Sequence, residues 1–148
     1  MDRKDFIKTC GFACMSGTAF STLLQSCVST KIIGGNISGD DLIVPLSDFE
    51  TKAENEKHYK KYVVVQNDIL QYPICVYRIK EREYTALWMQ CTHQGAELQV
   101  FGDKLQCPAH GSEFTNTGAV QDGPAENKLR TFPITIEANQ LKISLKAI

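Results

Sequence analysis

Past residue 41 the chain alternates between short apolar runs and polar breaks, and no stretch keeps a helical repeat over three turns. Leu42-Ile43-Val44 is apolar and is stopped by Pro45. Tyr62 to Gln66 (YVVVQ) and Ile74 to Ile79 (ICVYRI) are β-branched and aromatic, the composition of strands. Tyr84 to Met89 (YTALWM) runs directly into Cys91. Val100-Phe101 and Lys104-Leu105-Gln106 flank Gly102-Asp103, a hairpin signal. Leu129 to Glu137 and Leu141 to Leu145 flank Ala138-Asn139-Gln140, which predicts a second hairpin. The charged run Glu54 to Lys61 (ENEKHYKK) reads as a solvated loop with at most one helical turn. The pattern as a whole predicts an all-β sandwich or barrel-like domain.

The first 40 residues follow a different logic. Met1 to Lys8 is charged, and Thr9 to Thr30 carries no charge at all. A charged head followed by an apolar run is the pattern of an export signal. Gly11, Gly17 and several Ser and Thr dilute the run, which makes it a poor bilayer-spanning helix. Arg3 to Lys8 (RKDFIK) resembles the twin-arginine export motif, with Lys4 in place of the second arginine. Leu24-Gln25-Ser26-Cys27 resembles a bacterial lipobox, which implies cleavage before Cys27 and lipidation of its thiol. An uncleaved anchor or a buried helix are the alternatives. Ser29 to Asp41 holds Gly34, Gly35 and Gly39 among polar residues, the composition of a flexible tether. The expected division is therefore a signal at 1–26, a lipidated tether at 27–40 and a domain at 41–148. The expected location is the outer, periplasmic or envelope side of a bacterial membrane.

Composition narrows the partners. A chain of 148 residues has room for one core and a modest extension. Its formal charge of -1 leaves no basic excess, which argues against nucleic acid as a partner. Cys10 and Cys14 fall in the signal, and Cys75 falls in an apolar strand, where a free thiol acts as a small hydrophobe. With Cys27 lipidated, no pair is left over for a disulfide in the mature chain.

The chemistry concentrates in Cys91 to Gly111 (CTHQGAELQVFGDKLQCPAHG). Cys91 and His93 are two apart, and Cys107 and His110 are three apart. Each pair follows a predicted strand, and Gly95 and Gly111 allow each loop to bend tightly. Thiolate and imidazole are ligands for soft and borderline metals. A tetrahedral Zn²⁺ suits two cysteines and two histidines, giving a zinc-stabilised binding module without redox activity as one reading. Zinc modules usually group Cys with Cys and His with His along the chain, whereas here each loop supplies one of each.

Cys-Thr-His-Gln-Gly followed by Cys-Pro-Ala-His-Gly-Ser closely resembles the Rieske iron–sulfur family. The resemblance spans about Asp41 to Leu145. It implies a [2Fe-2S] cluster, with Cys91 and Cys107 on one iron and His93 and His110 on the other. It also implies a β-sandwich base carrying a small cluster-binding subdomain, around residues 89–127, with Gly123-Pro124-Ala125 as the proline loop over the cluster. Ser112 matches a serine that donates a hydrogen bond to a cluster sulfur. Phe114 stands where family members that oxidise quinol carry a tyrosine donor, and Ala96 and Ala109 stand where those members carry a disulfide. Fewer donors stabilise the reduced cluster less, which implies an intermediate or low potential within the family's range. No nucleophile or acid–base pair accompanies the motif, so the resemblance implies one-electron transfer between redox proteins, as a free carrier or as the small subunit of a larger oxidoreductase.

Overall fold

The computed structural model describes residues 32–53 and 56–146. The signal, Cys10, Cys14 and Cys27 lie outside the described residues. No helix among the described residues is long and apolar enough to cross a membrane.

The centre is a five-stranded sheet in the order β1-β6-β7-β8-β13, built from Ile32–Gly34 (β1), Tyr62–Gln66 (β6), Ile74–Lys80 (β7), Glu83–Trp88 (β8) and Thr131–Phe132 (β13). β6, β7, β8 and β13 are antiparallel neighbours, and β1 joins the open edge of β6 in parallel register, Ile32 opposite Val64. On one face lies a four-stranded sheet of Ile134–Glu137 (β14), Gln140–Ser144 (β15), Asp41–Pro45 (β3) and Asn36–Ser38 (β2). On the other lies Val120–Asp122 (β12), Glu113–Thr115 (β11), Lys104–Gln106 (β10) and Gln99–Phe101 (β9). A hairpin of Glu50–Ala53 (β4) and Glu56–Tyr59 (β5) follows a 3₁₀ turn at Leu46–Phe49.

This three-layer arrangement explains the unbroken apolar runs. Successive residues of a strand face opposite ways, so a strand buried on both faces must be apolar throughout. In β6 and β7, Val63, Val65, Ile74 and Val76 pack with Leu42, Val44, Leu141 and Ile143 of the first flanking sheet. Val64, Cys75 and Tyr77 pack the opposite way, with Leu98, Leu105 and Phe114 beside the second. Each fully buried aliphatic side chain contributes about 1.5–3 kcal/mol by leaving water.

The hairpin at Gly102-Asp103 and the all-β class are as expected. Three expectations are corrected. The glycine-rich stretch is not a free tether to residue 40: from Ile32 it is paired, first with β6 and then, beyond Gly35, with β3. The charged run 54–61 contains a strand, β5, because β4 pairs with it edge to edge. Leu129 to Glu137 is not one strand: β13 and β14 lie on either side of Pro133 and join different sheets.

Gly35 is where the chain crosses between layers. Its N–H donates to the Gln66 carbonyl and its carbonyl accepts from Asn67 Nδ2. A Cβ there would stand 2.5 Å from both Leu42 Cδ1 and Val65 Cγ1. Gly35→Ala is therefore expected to cost about 1–3 kcal/mol through overpacking. Urea unfolding of the variant checks this, and an unchanged midpoint would refute the pinch.

Cys75 is fully buried, and burial pushes its thiol well above the ordinary range, with the neighbouring Tyr77 phenol offsetting this slightly. The native state thus keeps a proton that the unfolded chain loses near pH 8.5. Stability is full below that pH and falls as the pH rises above it, by at most about 1.4 kcal/mol per pH unit for each such group. Unfolding curves at a series of alkaline pH values should show a shallower fall for Cys75→Ala than for the natural chain.

Candidate metal centre

The two Cys–His loops are built on one backbone plan. The first connects β8 to β9, and the second closes the hairpin of β10 and β11, whose last pair is Gln106 with Glu113. In the first loop the Cys91 N–H donates to the Ala96 carbonyl (2.8 Å), and the Gly95 N–H donates to the Cys91 carbonyl (2.9 Å). In the second the Cys107 N–H donates to the Ser112 carbonyl (2.8 Å), and the Gly111 N–H donates to the Cys107 carbonyl (3.0 Å). The offsets from cysteine to its partners are the same in both. Gly95 and Gly111 each take a positive φ, 77° and 81°, which a side chain would oppose. The glycine after each pair thus closes a turn back onto its cysteine.

That plan sorts the four side chains by depth. Cys91 and Cys107 are each 2% exposed and belong to the core cluster with Leu105 and Phe114. His93 is half-buried and His110 is exposed. The imidazoles meet edge to face, with centroids 5.0 Å apart and planes at 88°. The thiols are neighbours too: burial pushes the Cys91 thiol up, and contact with Cys107 adds to the rise. Neither cysteine is in a disulfide. The result is a thiol pair inside and an imidazole pair outside. Among the described residues no three Cys, His, Asp or Glu side chains converge as a single metal ion would need.

The donor set fits a cationic two-centre group. His93 Nδ1 is buried and has no hydrogen-bond partner. A buried unpaired nitrogen costs about 1–3 kcal/mol, and a metal ion offsets that cost by taking its lone pair. Burial disfavours the Cys91 thiolate, and a cation that compensates its charge offsets that penalty.

A third loop is tied to the other two. Ser112 is fully buried, and its Oγ accepts a 3.0 Å hydrogen bond from the Ala125 N–H, within the loop that carries Gly123-Pro124. Thr92 Oγ1 donates to the Asn127 carbonyl (2.6 Å), joining the same loop to the first. Pro124 is exposed, and Ala125 beneath it is buried. Lys104 Nζ and Gln106 Nε2 both hold the Glu113 carboxylate, at 2.6 and 3.2 Å, and so brace the root of the second loop. Phe114 carries no polar atom to the site and serves as packing beneath it.

The structure brings together Cys91, His93, Cys107, His110 and Ser112. Sequence reasoning missed a groove on the His93 flank. It has a volume of about 620 Å³, and Trp88, Gln90, Asn127 and Arg130 help to line it. Trp88 Nε1 donates to Gln90 Oε1 (3.0 Å). Trp88 and Gln90 lead into the first loop while Asn127 and Arg130 come from a segment more than thirty residues later, so no local signal marks the groove.

Ser112→Ala is expected to leave the Ala125 N–H buried without an acceptor, at a cost of about 1–3 kcal/mol. Amide exchange at Ala125 should then quicken while amides of β6 and β7 keep their protection. Unaltered exchange at Ala125 would show that the bond does not hold the loop.

Comparison with known proteins gives one consistent result. A family model described as Rieske [2Fe-2S] domain matches residues 50–133. The cytochrome b6-f complex iron-sulfur subunit of Cyanothece sp. is 29% identical over 144 residues, covering 84% of this chain and 74% of that protein. The corresponding subunit of Chlorobaculum tepidum is 30% identical over 63 residues, covering 41% of this chain and 35% of that protein. Among solved structures, a cyanobacterial plasma membrane Rieske protein from Synechocystis superposes with a TM-score of 0.50 and 26% identity, over 57% of this chain and 86% of that one.

Proposed function

The chain belongs to the Rieske [2Fe-2S] family, and we propose that it acts as a one-electron carrier at a membrane surface, with Cys91 and Cys107 on one iron of its cluster and His93 and His110 on the other. The observation that carries the assignment is the pair of equivalent loops, which place both thiols inward and both imidazoles outward. The zinc reading gains nothing from this arrangement, because the donors form two pairs at different depths.

When bound, the cluster supplies a single-electron couple whose potential two neutral imidazoles raise to between about -150 and +300 mV. The protein supplies the rest. Burial of Cys91 and Cys107 keeps water from the sulfur side. The exposed His110 makes the imidazole edge the place where a redox partner approaches. Ser112 Oγ is engaged as an acceptor, so its own proton remains to be donated towards sulfur. Phe114 adds no second donor, which favours a potential below that of relatives with two.

The membrane reading rests on the sequence before residue 32 and on what the relatives are. Cys27, after its lipobox, is the proposed lipid attachment point, with 1–26 as the export signal. The matched proteins are subunits of cytochrome b6-f complexes and a plasma membrane Rieske protein. Both a carrier and a small subunit of a larger membrane oxidoreductase accord with that, and co-purification of a large subunit separates them.

The deciding experiment is EPR of the dithionite-reduced protein with metal analysis of the same sample. The expected result is a rhombic signal with a low average g and about two irons per chain, the content of a [2Fe-2S] centre. An EPR-silent protein holding a single zinc would overturn the assignment.

A further inference from the structure

Far from the cluster, three turns of the base and the end of β5 line a second cavity of about 640 Å³. Ser47 comes from the 3₁₀ turn, Asn139 from the β14–β15 turn, Arg82 from the β7–β8 turn and Tyr59 from the β4–β5 hairpin. Arg78 of β7 completes the lining. β7 and β8 run from this turn, where Lys80 faces Glu83, to the end where Ile74 faces Trp88 and the chain enters the Cys91 loop. The cavity and the cluster therefore lie at opposite ends of one hairpin.

Arg78 is the unusual member. Its guanidinium is held over the Tyr59 ring, 4.2 Å from the centroid. Its Nε is buried and has no hydrogen-bond partner. Glu50 and Glu81 also line the cavity, yet among the described residues no carboxylate forms an ion pair with Arg78. The Nε–H is therefore unsatisfied while other atoms of this half-buried side chain line the cavity, and an arginine fork matches a carboxylate through two parallel hydrogen bonds.

We propose that this cavity binds a carboxylate, with Arg78 as the bidentate donor and Arg82 as a supporting cation on the rim. The chemistry selects a monoanion. Two arginines and two glutamates leave the lining without net charge, so a second negative charge on a phosphate gains no net attraction while its desolvation costs more than that of a single carboxylate charge. The Tyr59 ring holds the guanidinium in place before the ligand arrives, which lowers the entropic cost of binding. The carboxylate belongs either to a small free acid or to the end of a polypeptide chain. In both cases it sits away from the electron-transfer edge and serves as an anchor. The inference does not depend on the cluster assignment.

The test is a titration of the ¹⁵N-labelled holoprotein that follows the Arg78 Nε–H resonance. Acetate is expected to move it saturably at millimolar concentration, and chloride at equal ionic strength is not. Arg78→Lys, followed at the Tyr59 backbone amide, should abolish the saturable shift, and Arg82→Gln should weaken binding several-fold, both with the amide resonances of β6 unmoved. An N-acetylated dipeptide with a free C-terminus, compared with its amide, separates the sources. Tighter binding of the free acid than of acetate identifies a chain terminus, and equal or weaker binding identifies a small acid. No saturable shift, an equal shift with chloride, or tighter binding of inorganic phosphate than of acetate would overturn the proposal.

Discussion

The central sheet is buried on both faces, and the rest of the molecule is arranged around that constraint. β6 and β7 have no polar side to offer water, so both flanking sheets are required before either strand is stable. One flanking sheet is structural filling. The other brings Leu98, Leu105 and Phe114 against the same strands and carries the two Cys–His loops at its end. The loops are therefore roots of the core as much as an ornament upon it. Cys91 and Cys107 count among the residues that pack with Val64 and Leu87. The two cysteines thus serve the core and the centre at once.

Much of this was legible in the sequence, for a physical reason in each case. A strand buried on both faces writes itself as a continuous apolar run, and Tyr62–Gln66 was readable to the residue. The centre was legible because ligand chemistry permits few residue types and tight turns favour glycine. The missed elements lack such a signature. β4 (ETKA) and β5 (EKHY) are rich in charge, and their apolar–polar alternation is too faint to separate them from a loop. β1 and β2 are three residues each and surround glycines, so their pairing comes from β6 and β3 and not from their own propensity. The bond from Ala125 to Ser112 spans 13 residues, and the sequence suggests a proline loop without naming what holds it.

The two ends of the β7–β8 hairpin differ in electrical character. The cluster end presents His110 among Pro108, Ala109, Gly111 and Pro124, all exposed and none with a formal charge. The far end gathers two arginines and two glutamates around one cavity. At the cluster end, charge stands beside the uncharged tip and not on it: Arg130 lines the groove next to His93, and Glu126 is exposed in the proline loop.

The pairing of Ile32 with Val64 also sets a length. With a lipid on Cys27, only residues 28–31 lie between the anchored cysteine and the folded body. Five peptide steps reach at most about 18 Å even when fully extended. A lipid-anchored tether of that length would confine the domain to a thin shell above the bilayer and would raise its effective concentration towards anything embedded nearby. It would also forbid long excursions. Electron exchange over a greater distance would have to come from rotation of the domain on its leash, or from a mobile partner that visits the surface.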